Sequence, residues 1–226
     1  MDFPVGSHYP LAHTYQLFCD GTSSRAGRVH HGFGPSSCTL AVDYITNQIR
    51  VNRAAAGYPW RANVWKARKE FDIAIADYNQ AIRLDPGTSW PRLMKALVRL
   101  TTGREEVVAD ARSAIEADAW KGTSPIYAAI VGHLGARRVK QDGAARQFLD
   151  DADHQADKGL WPYPIVRYLR HQSDEHDLLA QATDTDKMTE ARCYLAFDQL
   201  LRGGTQEARG NFLWVKDHGT PGFRGN

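Results

Sequence analysis

Cysteine is scarce in this 226-residue chain. Cys19, Cys38 and Cys193 form an odd set without CxxC spacing, which excludes a disulfide framework. No apolar run approaches the roughly 18 residues that span a bilayer, so no transmembrane helix is expected. Lysine and arginine are absent before Arg25 and no apolar h-region follows, so no signal peptide is read. The run Gln16-Leu17-Phe18-Cys19 lacks the small residues that precede a lipidated cysteine. Neither GxGxxG nor GxxxxGK[ST] occurs, which removes the usual phosphate cradles, and GxSxG is missing as well. What remains is ordinary globular composition, 42% hydrophobic and 24% charged, enough for a real core.

Charge is unevenly spread although the net is only +2. Residues 1–69 hold eight Lys/Arg against three Asp/Glu, a net of +5; the remainder holds twenty against twenty-three, a net of −3. No dense basic cluster exists, so a nucleic-acid partner is not expected. His13, Cys19, His30, His31 and Cys38 are the nearest approach to a metal set, but short ligand pairs such as CxxC or HxxxH are missing. No metal or cofactor is expected. Asp150, Asp151 and Asp153 read as a solvated helix face. His171, His176 and Asp177 lack an activated nucleophile beside them.

Residues 1–38 are rich in breakers (Gly6, Pro10, Gly21, Gly27, Gly32, Gly34, Pro35) and read as an irregular or disordered segment. Leu40, Val42, Ile45, Ile49 and Val51 predict a lead-in helix within 39–53. From 54 to 219 the chain reads as short helices in pairs, and 220–226 as a flexible tail. Ser124-Pro125 predicts a helix start. Gly219 predicts a left-handed cap after the last helix. No stretch alternates β-branched residues, so the fold class is all-α.

One spacing recurs along the pairs. Ala62, Ala74 and Tyr78 set a small residue, an alanine twelve later and an aromatic four further on. Gly132, Ala144 and Phe148 repeat it, and so do Ala196, Ala208 and Phe212. Ala96, Val108 and Arg112 keep the register with arginine in the aromatic place. A small residue on the first helix lets the second approach, and the aromatic fills the space beside it. A single pair cannot cover its own apolar face, so neighbours must stack.

Residues 58–86 resemble a tetratricopeptide repeat (TPR), through Tyr58, Ala62, Trp65, Ala74, Tyr78, Ala81 and Pro86. Arg61 stands where the pattern has leucine. The resemblance implies a right-handed α-solenoid of antiparallel helix pairs, with the first helix of each pair lining a concave groove. The second half is similar to the NlpI-type bacterial lipoprotein group. The similarity runs through Trp161-Pro162-Tyr163-Pro164, Tyr168-Leu169, Thr189-Glu190-Ala191, Tyr194-Leu195-Ala196, Ala208 and Phe212. That group implies an envelope adaptor for hydrolases or proteases.

The expected function is a non-enzymatic scaffold that holds protein or peptide partner segments in the groove. Asn63, Lys66, Arg92 and Arg99 are the groove candidates, as first-helix residues read as lying off the packing positions. Some TPR proteins grip a terminal carboxylate with Lys and Asn on the first helix. Asn63 fits, but Pro59 holds the lysine place, so no such clamp is expected. Trp214 is read as pointing away from the last pair, which predicts homodimers through that end or a natural continuation of the stack beyond it. The alternatives are the envelope adaptor and an accessory domain of an enzyme. The location is left open: the sequence as it stands reads as cytoplasmic, and an upstream start would allow the envelope.

Overall fold

The computed structural model describes residues 35–52 and 57–220. Among these residues the chain is all-helical, with eleven α-helices and no strand. They divide between Asp77 and Tyr78 into two compact units, so the expected repeat domain 54–219 spans both. No helix among them is long and apolar enough to cross a membrane.

The first unit holds α1 (Pro35–Asn52), α2 (Gly57–Ala67) and the opening of α3 (Phe71–Leu84). The expected irregular segment lies outside the described residues up to 34. Its last four residues, however, are helical: α1 opens at Pro35, whose fixed φ suits a first helical turn, and not at Thr39. Ala41, Val42, Ile45 and Ile49 recur at helical spacing and bury against Val64, with Tyr58, Trp60 and Trp65 packed around them. Gly57 opens α2 directly under Ile49, where an added Cβ would lie 2.5 Å from the isoleucine side chain. Further along, Arg61 Nη1 donates to Thr46 Oγ1 at 3.0 Å. The start of α2 thus meets the end of α1, and the two run antiparallel.

The second unit holds α4 (Trp90–Thr102), α5 (Val107–Asp118), α6 (Ser124–Arg138), α7 (Asp142–Gln155), α8 (Tyr163–Leu169), α9 (Glu175–Gln181), α10 (Thr185–Leu201) and α11 (Thr205–His218). Neighbours in sequence pack on one another, and α6 also touches α4, α8 and α10. That position makes α6 the centre of the core, with Ile126 and Ala128 to Leu134 all buried. Two glycines explain the closeness. A Cβ on Gly132 would sit 2.5 Å from the Phe148 ring of α7, and one on Gly135 would sit 2.4 Å from Val107 of α5. Glycine inside a helix costs roughly 0.5–1 kcal/mol, which tighter packing on two sides offsets.

The small-residue spacing is visible here as packing. Ala62, Ala74 and Tyr78 are fully buried, as are Ala196 and Ala208, and Phe212 meets Phe197 edge-on at 5.7 Å. The pair α4–α5 departs from the expected register. A turn over Arg104–Glu106 delays α5 until Val107, so Val107, Ala111 and Ala114 go inward while Val108 is half-buried and Arg112 exposed. Arg112 then stacks its guanidinium over Phe148, 5.0 Å from the ring centre. In the α6–α7 pair, Ala145 is buried where Ala144 was expected.

Gly103 closes α4 in the left-handed conformation, and Arg138 Nη1 reaches across from α6 to Leu100 O at 2.7 Å. Ser124 does not cap α6; it is the first helical residue, and its hydroxyl lies 3.0 Å from that of Ser89. Gly219 is extended instead of left-handed. Its smallness is used differently: a Cβ would meet Val215 O at 2.5 Å and the Thr189 side chain at 3.2 Å. Thr220, the first residue of the expected flexible tail, donates its backbone N–H to Thr189 Oγ1 at 3.0 Å. Residues 221–226 lie outside the described residues.

Candidate functional site

Arg92 and Arg99 lie off no packing position. Counted from the small residue of their pair, they stand four before and three after Ala96, where Tyr58 and Trp65 stand around Ala62. Both turn toward α5. Arg92 donates from Nε to Ser113 Oγ at 2.8 Å and from Nη1 to Thr88 O at 2.6 Å. Arg99 Nη1 lies 2.9 Å from Asp110 Oδ2, an ion contact without the alignment of a hydrogen bond. Lys95 Nζ completes the set, 2.8 Å from Asp110 Oδ1 and 3.0 Å from Asn79 Oδ1. Asp110 is buried, so the pair is joined by a polar seam where the TPR pattern has aromatic and leucine side chains.

The seam recurs. Arg61, one before Ala62, binds Asp77 with a two-pronged grip, Nε to Oδ2 at 2.8 Å and Nη2 to Oδ1 at 2.7 Å. That hydrogen bond holds the guanidinium pKa above its ordinary value. Asp77 stands fifteen after Ala62. Fifteen after Ala196 stands Asn211, which accepts from Arg192 Nη1 at 2.8 Å and donates to Gln199 at 3.0 Å. Arg192 and Gln199 hold the places of Arg92 and Arg99. Asp110 is fourteen after Ala96, one position earlier than in the other two pairs. The sequence signal was readable: a buried Asp or Asn three residues beyond the second small position, with a cation or amide on the first helix to meet it.

Asn63 is buried on α2 and Lys66 half-buried beside it, both in the first unit. Trp214 does not stand clear of the last pair. Arg192 of α10 lies over its ring at 4.7 Å and His218 stacks on it at 5.3 Å. Leu200 and Leu213 are the exposed apolar side chains of that pair.

Two carboxylates, Glu190 half-buried and Asp198 fully buried, were given no role of their own from sequence. Glu190 on α10 accepts at Oε2 from Tyr127 Oη at 2.6 Å and from Trp161 Nε1 at 2.7 Å. Burial pushes the Glu190 carboxyl pKa up, against the pull of those two donors. The same burial, with Glu190 beside it, raises the Cys193 thiol to about 12, which leaves it an inert thiol. Asp198, also on α10, is fully buried between Arg137, Arg202 Nη2 at 2.6 Å and Tyr168 Oη at 3.0 Å. Burial and that carboxylate push the Tyr168 hydroxyl up to about 12. Together these clusters tie α6, α8 and α10. Both use their oxygens on internal donors, an arrangement that orients helices.

His133 is buried as well. Its Nδ1 lies 3.0 Å from Ala145 O, so Nδ1 carries the proton and donates, and burial holds the ring below its ordinary pKa. His176 and Asp177 come together with Asp174, their ligand atoms within 4.8 Å, but all three are exposed and Asp174 already caps α9 through Asp177 N–H.

No protein-family model matches the chain, and no curated protein is significantly similar to it.

Proposed function

We propose that this chain is a non-enzymatic protein-interaction scaffold of TPR-like helix pairs, stacked as a right-handed α-solenoid. The observation that carries the reading is the recurrence of one pair geometry. A small residue on the first helix receives the second helix, as Gly132 receives Phe148. In two pairs a polar seam reaches the second helix fifteen residues beyond the small residue, from Arg61 to Asp77 and from Arg192 to Asn211. The contacts support stacking too: α5 packs on both α4 and α6, while the first helices α4, α6 and α10 touch in succession. A surface of this kind offers prebuilt side chains to a partner segment, so little ordering cost falls on the scaffold. Arg92 and Arg99 serve the seam in this reading. Lys66 and Asn63 remain the groove candidates, with Lys66 the better exposed.

The test is affinity capture by the full chain with bound proteins identified by mass spectrometry, repeated with Lys66→Glu. The reading predicts a protein captured in fixed stoichiometry and a loss of about tenfold or more in affinity for the variant, about 1.4 kcal/mol. Capture of no polypeptide under any condition, together with turnover of a small substrate, would overturn it.

A further inference from the structure

Helices α7, α8 and α9 and the turns between them border an open surface cleft of about 460 Å³, lined by Asp153, Lys158, Tyr163, Arg167, Gln172 and Gln181. That volume is within the range of small-molecule sites. The one carboxylate in the lining is already filled. Asp153 Oδ1 accepts from Tyr163 Oη and from Lys158 Nζ at 3.2 Å, and Arg170 Nη2 stands 3.7 Å from Oδ2. The rest of the lining is rich in donors. Arg167 is exposed, and among the described residues its guanidinium has no hydrogen bond or ion pair. Lys158 and Arg167 against Asp153 leave the lining at a net of +1.

We infer that this cleft binds a small molecule through an oxyanion group, a carboxylate or a phosphate. Arg167 supplies a planar fork of N–H donors that matches either group two-pronged. Lys158 keeps two of its three N–H donors beyond the bond to Asp153, and the Gln172 amide adds another. Pro164 is the partly exposed apolar residue of the lining, available to the body of the ligand. Asp153, held by its own donors, fixes Lys158 and Tyr163 in place without repelling an anion as an unpaired carboxylate would.

The experiment is isothermal titration of the full chain with inorganic phosphate, succinate and citrate at low ionic strength, repeated on Arg167→Gln and on Arg209→Gln. Arg209 is exposed on α11 and serves as the control for a diffuse charge effect. Circular dichroism confirms that both variants fold. The expected result is saturable one-to-one binding of at least one probe, about tenfold or more weaker in Arg167→Gln and within about twofold of native in Arg209→Gln. Saturation by phosphate alone or by the carboxylates alone tells which oxyanion the cleft takes. Absence of saturable binding by all three probes overturns the inference, and so does equal weakening by the two variants.

Discussion

Arg192 donates to Asn211 across the last helix pair at 2.8 Å, from the same repeat position that Arg92 occupies in the pair α4–α5, where its bond goes to Ser113 at 2.8 Å. Tyr58 holds that position in the first pair. The TPR pattern puts an aromatic there; in these later pairs a cation takes the place and the facing helix answers with a polar side chain. Packing gives affinity between helices, but it tolerates sliding by a residue. A buried polar partner at one position does not, because a slip would leave a charge unpaired.

Asp110 is therefore the most sensitive seam residue, facing both Lys95 and Arg99. Asp110→Ala should cost about 3–5 kcal/mol in urea unfolding, the range for breaking a buried ion pair. Asn211→Asp should cost less than Asp110→Ala, about 1–2 kcal/mol, because it keeps an acceptor for Arg192 but loses the amide donor to Gln199 at a buried position. A loss below about 1 kcal/mol for Asp110→Ala would show that the seam does not hold the pair.

Gly132→Ala tests the small-residue rule. The new Cβ must displace the Phe148 ring, and the expected loss is about 1–3 kcal/mol, with no gain from the better helix propensity of alanine. Thermal unfolding reads it directly. A higher midpoint would mean that α6 and α7 are less tightly joined than the 2.5 Å approach implies.

The pair rhythm, the helix order and the all-α class were legible because they rest on local signals: spacing of small residues, prolines at first turns, glycine at helix ends. The register of α5 was not, since whether Arg104–Glu106 turns or coils cannot be read from three polar residues. The seam was missed for another reason. Arg92 and Arg99 look like surface residues by composition, and their burial depends on Asp110 and Ser113 arriving from the next helix. Glu190 drew notice only within a family likeness, because its donors, Tyr127 and Trp161, are 63 and 29 residues away.

Acidity should act on Glu190 and His133 in opposite directions. The Glu190 carboxyl is raised from 4.5, so its stabilising contribution is full below that pH and is lost as pH rises through the folded value. His133 is lowered from 6.5, so its contribution is full above that pH and is lost as pH falls through the folded value. Glu190→Gln keeps an acceptor for both donors and removes the charge. Its thermal midpoint should exceed that of the native chain at pH 7 by a few degrees, the scale of about 1 kcal/mol, and the gap should close on acidification toward pH 4. A lower midpoint at pH 7 would mean that the ionised carboxylate is the stabilising form.

The last pair exposes Leu200 and Leu213, and self-association through this end remains our proposal. Light scattering should show a concentration-dependent dimer that Trp214→Glu abolishes. Loss of the ring also removes its contacts with Arg192 and His218, so Leu213→Glu is the companion variant, with an exposed side chain whose change leaves those contacts intact. A strict monomer at high concentration in the native chain would dismiss the proposal.

Hydrogen–deuterium exchange of the full chain, free and saturated with its captured protein, tests the scaffold reading most directly. The account predicts new protection concentrated in the first helices with exposed faces, α2 in the first unit and α4 and α10 in the second, with α6 unchanged because it is buried in the core. Protection confined to the second helices α5, α7 and α11, with the first helices unchanged, would contradict it.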